Sequence, residues 1–108
     1  MTETKTQRWT SVAQKSQIEP GTILGLKIED RDIAVYIVDG AVYAAANICT
    51  HAHAYMSDGW LEGDILECPL HGGRFEAKTG RGMGAPIICD LKLYPVRVEG
   101  DDIQIDLS

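Results

Sequence analysis

Short apolar runs separated by polar turn residues dominate the chain from Trp9 onwards, and their period is two rather than 3.6. Thr10–Val12 reads as a first strand, and Glu19-Pro20-Gly21 as a turn. Thr22–Ile28 follows as a strand that closes at the polar run Glu29–Asp32. Ile33–Val38 is apolar throughout and rich in β-branched residues, the signature of a central strand. Asp39-Gly40 then predicts a tight hairpin, because a type I′ turn needs residues that tolerate positive φ. It leads into a strand over Ala41–Ala44, with the Ala44–Ala46 run able to hold one helical turn.

Later in the chain, Ser57-Asp58-Gly59-Trp60 reads as a turn, and Asp64–Glu67 and Arg74–Ala77 as short strands. Lys78-Thr79-Gly80 turns the second of these. Leu91–Tyr94 and Val96–Val98 alternate, and Glu99–Asp102 turns into Ile103–Leu107. Gly80, Gly82 and Gly84 are spaced like part of a dinucleotide fingerprint, but no βαβ unit surrounds them, and a flexible loop is the expectation. The pattern predicts one small all-β domain spanning residues 1–108, with residues 1–8 a frayed terminus.

Composition narrows the function classes. The 108 residues are 44% hydrophobic and 24% charged, ordinary for a globular domain with a modest core. A net charge of −6 disfavours nucleic acid and anionic membranes, because phosphate would be repelled. No apolar run approaches the ~20 residues that span a bilayer. Met1–Arg8 has no secretory apolar segment, so the cytoplasm is the expected location.

The chemistry concentrates in residues 49–71. Cys49-Thr50-His51 is followed, after sixteen residues, by Cys68-Pro69-Leu70-His71. Each half offers one thiolate and one imidazole, and in a reducing compartment metal ligation is the better reading for such cysteines than a disulfide. Two fillings suit two cysteines and two histidines: one zinc ion, or a [2Fe–2S] cluster. Structural zinc sites usually pair ligands two to four residues apart, often like with like, whereas each half here is mixed and the first has one intervening residue. Such halves suit two neighbouring metal atoms better than one. Cys89, in the apolar run that starts at Pro86, is expected to pack as a small hydrophobe.

The order and spacing of these four residues resemble the Rieske signature, in which one iron has two cysteines and the other two histidines. The segments Met56–Gly63 and Cys68–Phe75 resemble the small Rieske ferredoxins of aromatic-ring-hydroxylating dioxygenase systems, a likeness running from about Trp9 to Leu107. The resemblance implies antiparallel sheets with a cluster-binding subdomain at about residues 46–86. It also implies one [2Fe–2S] cluster on Cys49, His51, Cys68 and His71, and a covering loop that Gly84-Ala85-Pro86 would supply. The implied role is a monomeric electron carrier between an NAD(P)H-oxidising flavoprotein reductase and a terminal Rieske oxygenase. The rival within the family is the small subunit of an assimilatory nitrite reductase.

Departures from the pattern carry information. Rieske proteins of quinol-oxidising complexes join their ligand loops by a disulfide at positions matched here by Ala54 and Leu70. They also place serine and tyrosine hydroxyls near the cluster, at positions matched by Gly73 and Phe75. Fewer donors to sulfur lower the potential, so a midpoint around −150 mV is expected. Gly72 and Gly73 are expected to let backbone N–H groups approach the cluster. His53 is expected on the surface near the docking face, and Tyr55, Met56 and Trp60 in subdomain packing. Ala41–Ser57 contains no Asp, Glu, Lys or Arg, so an uncharged tip would meet the partner while acidic residues elsewhere steer the approach.

Overall fold

A computed structural model describes residues 8–50, 54–70, 72–85, 87 and 89–107. Among these residues ten strands run in chain order: β1 (Trp9–Gln14), β2 (Ile23–Ile28), β3 (Arg31–Val38), β4 (Ala41–Ala46), β5 (Trp60–Glu62), β6 (Ile65–Glu67), β7 (Arg74–Glu76), β8 (Leu93–Tyr94), β9 (Val96–Glu99) and β10 (Asp102–Asp106). They form three antiparallel sheets, ordered β1-β10-β9, β2-β3-β4-β8 and β5-β6-β7. Single 3₁₀ turns at Lys15–Gln17 and Met56–Asp58 are the helical elements among the described residues.

β3 is the spine because both of its faces are apolar. Ile33 and Val35 enter one core with Ile18, Ile103, Ile105 and Leu107, between the first two sheets. Tyr36 and Val38 enter a second core with Met56, Leu61, Leu66 and Phe75, under the third sheet. The β3–β4 connection is the expected two-residue hairpin, with Asp39 at φ 52° and Gly40 at φ 80°. The β2–β3 turn is tighter than the polar run suggested. It uses Glu29 (φ 58°) and Asp30 alone, and Arg31 and Asp32 already pair with Ile28 and Lys27.

Two expectations need correction here. Ala44–Ala46 is strand, because β4 pairs with β3 along its whole length and Ala44 and Ala45 also pair with β8, outweighing alanine's helix preference. Trp60 opens β5 rather than ending a turn, paired with Glu67. The turn stops at Gly59, where a Cβ would collide with the Glu67 carbonyl.

A buried hydrogen bond ties the second sheet to the third. The Tyr36 hydroxyl on β3 donates to the Ala77 carbonyl at 2.6 Å, just beyond β7. Burial pushes the Tyr36 phenol well above its ordinary pKa, with the Tyr43 ring nearby adding to the rise.

Candidate metal centre

Two hairpins build the site, and each presents a cysteine at the same place. In the first, Met56 N–H donates to the Asn47 carbonyl at 2.6 Å and Cys49 N–H to the Ala54 carbonyl at 2.9 Å, with a bridge between Ile48 and Tyr55. In the second, carried by β6 and β7, Cys68 N–H donates to the Gly73 carbonyl at 2.7 Å. Each cysteine therefore bonds five residues ahead, and each loop tip lies beyond it. Gly72 takes φ 66° within the second tip, a turn conformation that glycine adopts without strain.

The first hairpin is seated on the base sheet. Asn47, which is buried, accepts from Ser57 N–H at 2.8 Å and donates from Nδ2 to Ser57 Oγ at 3.0 Å. A Cβ on Gly25 of β2 would stand 2.5 Å from Ser57 Oγ, so the glycine makes room for this clamp. A third segment, Gly80–Leu91, is anchored by Leu91 N–H to Gly80 O at 2.7 Å and Gly82 N–H to Asp90 Oδ1 at 2.9 Å. Thr50 Oγ1 donates to the Cys89 carbonyl at 3.0 Å, joining this segment to the first ligand loop.

Cys49 and Cys68 meet in the second core, both buried and neither in a disulfide. Burial pushes the Cys68 thiol up to about 11; a hydrogen bond with the Cys49 side chain adds to the rise, and the Leu70 backbone N–H opposes it. The Cys68 thiol therefore stays protonated near neutrality unless a cation supplies the missing positive charge. Two buried, adjacent thiols with a backbone donor fit a bound metal group, and fit poorly with a reactive thiol, which needs exposure and a lowered pKa.

His51, His71 and His53 lie outside the described residues, as does Pro86 of the suggested covering loop. Two expectations about neighbours change. Cys89 is exposed rather than packed, because the chain emerges after the buried Ile87. Of the three residues assigned to packing only Met56 is fully buried; Tyr55 and Trp60 are 47% and 51% exposed. Both stand at outward positions of their hairpins, where the inward places are taken by Ala54, Met56 and Leu61. The uncharged stretch is part core and part tip: Ala44, Ala45 and Met56 are buried, while Ile48, Thr50 and Tyr55 are exposed. Asn47, Ser57, Thr50 and Tyr36 were not singled out as supports, since their partners are distant in sequence; Gly25, a glycine inside a strand pattern, was the one available hint.

Three antiparallel sheets that bring two cysteine-bearing hairpins to one buried point define a small metal-cluster-binding β domain. A family model described as the Rieske [2Fe-2S] domain matches residues 8–95, and the chain belongs to this family, whose cofactor is a [2Fe–2S] cluster. The ferredoxin component of a naphthalene 1,2-dioxygenase system from Pseudomonas aeruginosa is 47% identical over 103 residues, covering 95% of this chain and 99% of the relative. A ferredoxin of Sphingomonas yanoikuyae B1 superposes with a TM-score of 0.89 at 35% identity, covering 94% of this chain and all of that one. A structure of reduced oxygenase with oxidised ferredoxin in carbazole 1,9a-dioxygenase contains a chain that matches with a TM-score of 0.84 at 35% identity, covering 91% of this chain and 92% of that chain.

Proposed function

We propose that this chain is the electron-carrying ferredoxin component of an aromatic-ring-hydroxylating dioxygenase system, and is not itself a catalyst. Cys49 and Cys68 hold one iron, and His51 and His71 the other. The bound cluster supplies a site that gains and loses single electrons. The observation that carries the reading is the juxtaposition of the two cysteine thiols by matched hairpins. The protein's own residues do the rest: the second core excludes water from the sulfur side, and the Leu70 N–H steadies negative charge on Cys68.

The identity of 47% across nearly the whole length of a dioxygenase ferredoxin supports this reading over the nitrite reductase subunit. A catalytic oxygenase would need a mononuclear iron held by two histidines and a carboxylate, and with four ligands assigned only His53 is left. The electron donor is an NAD(P)H-oxidising flavoprotein and the acceptor a terminal Rieske oxygenase, and the carrier works as a cytoplasmic monomer. Among the described residues no helix is long and apolar enough to cross a membrane. The test is reconstitution. Added with a reductase and the oxygenase of a naphthalene dioxygenase system, the holoprotein should restore NADH-dependent oxygenation. Absence of coupling, with transfer to a sirohaem nitrite reductase instead, would overturn the assignment.

A further inference from the structure

Among the described residues, Asn47 and Asp106 are the polar or charged ones that are buried. Asp106 ends β10 and accepts from Arg8 N–H at 3.0 Å, in a sheet that gives no residue to the core around the cysteines. Asn47 stands where β4 leaves the base sheet and the chain becomes the first ligand hairpin. Its N–H extends the β3–β4 ladder by donating to the Asp32 carbonyl at 2.8 Å, and its carbonyl accepts from Met56 N–H across the hairpin foot. Its side chain doubles that second connection: Oδ1 takes Ser57 N–H at 2.8 Å and Nδ2 donates to Ser57 Oγ at 3.0 Å.

Burying a carboxamide costs free energy unless its bonds are made, so its place here calls for a reason beyond filling space. The underside of the hairpin supplies one. A groove of about 280 Å³, lined by Lys27, Asp32, Tyr55 and Ser57 among others, opens beside β2, so side-chain packing does not close that side. The tilt of the hairpin over the base sheet falls to hydrogen bonds instead. β2 is shaped for the same contact, since a Cβ on Gly25 would stand 2.5 Å from Ser57 Oγ, 2.9 Å from Ser57 Cβ and 3.0 Å from Asn47 Nδ2. The second ligand loop has different support: β6 and β7 pair as far as Glu67 and Arg74, the first of which adjoins Cys68. The first hairpin runs on past β4 with a single bridge, Ile48 to Tyr55. Ile48 alone separates Asn47 from Cys49, so a change of tilt at the foot reaches the thiol.

We infer that Asn47 is a positioning residue for the cluster: through Ser57 and the gap at Gly25, its carboxamide sets how the first ligand loop presents Cys49 beside Cys68. This deepens the electron-carrier reading and rests on its cluster. Groups that orient ligands without touching the metal typically change metal affinity by about 10–100-fold when they are removed. Asn47 does so from the base sheet, which makes the fold itself the gauge of the spacing between the two loops.

The experiment follows iron release from purified holoprotein to a chelator, together with thermal melts and the electron paramagnetic resonance g values of the reduced cluster. Asn47→Ala should release iron about tenfold faster than the parent and shift the g values. Ser57→Ala, which keeps its backbone N–H for Oδ1, should fall between the two. Gly25→Ala should reproduce the Asn47→Ala behaviour with both clamp residues present, because its methyl group displaces them. If Asn47→Ala does not load, these two variants carry the test. Ile105→Val is the control for stability alone, since it thins the core between the first two sheets, away from both hairpins. Compared at the same interval below Tm, it should match the parent in release rate and g values. Clamp variants that release iron at the control's rate at that interval, or keep the parent's g values, would overturn the inference. Unmodified protein that takes up zinc, or no metal, would instead bring down the cluster reading itself.

Discussion

Replacing Tyr36 by Phe removes a single oxygen from the bond that fastens the third sheet to the central strand. The ring is fully buried, so its packing survives, and the change isolates the 2.6 Å donation to the Ala77 carbonyl. A buried carbonyl that loses its partner costs about 1–3 kcal/mol. In a domain of this size each kcal/mol lowers Tm by roughly 4–8 °C, so a fall of at least about 4 °C is expected. The phenol adds a pH signature. Its pKa is raised in the folded protein, whereas an unfolded tyrosine ionises near pH ~10. Stability from this group is therefore complete below that pH and declines as pH rises above it. Thermal melts by circular dichroism at pH 7 and across pH 9–11 read both effects, and the variant should lose the part of the alkaline decline that comes from Tyr36. A Tm within a degree of the parent at pH 7, or an unaltered alkaline slope, would refute the reasoning.

Four further outcomes are expected. Gly59→Ala drives a methyl group into the Glu67 carbonyl and should cost about 1–3 kcal/mol, with poorer cluster retention after purification. Gly73→Ser offers a hydroxyl towards the cluster; a bond stronger by about 1 kcal/mol in the reduced state raises the midpoint by roughly 40 mV, read by redox titration. Cys89→Ser should leave iron content unchanged because Cys89 is exposed and outside the buried pair, whereas Cys68→Ser should abolish normal loading. Lys78→Ala breaks a 2.8 Å pair with Asp39 that stands in solvent, and the midpoint of its urea melt should match the parent's.

Local rules carried far into this fold. Asp39-Gly40 encodes its own turn, and the unbroken apolar run of β3 announces a strand with core on both sides. Cys49 and Cys68 stood out by residue type and spacing, and the fold brings them to one buried core. What stayed hidden was set by distant partners. Ala44–Ala46 is extended because β3 and β8 flank it, which three alanines do not reveal. Trp60 faces outward because Leu61 fills the inward position, a parity that depends on where Gly59 ends the turn. The Asn47–Ser57 clamp on Gly25 and the Tyr36–Ala77 bond join segments whose meeting depends on the sheets stacking first.

Two thiolates on one iron and two imidazoles on the other are what set this proposed centre apart from zinc and from an all-cysteine cluster. Nitrogen hyperfine couplings measured on the reduced protein, alongside iron and acid-labile sulfide, address that directly. The prediction is two iron and two sulfide per chain with couplings from two imidazole nitrogens, one disappearing with each of His51→Ala and His71→Ala wherever a cluster is still retained. Zinc in place of iron, or an iron–sulfur signal without directly bound nitrogen, would contradict it.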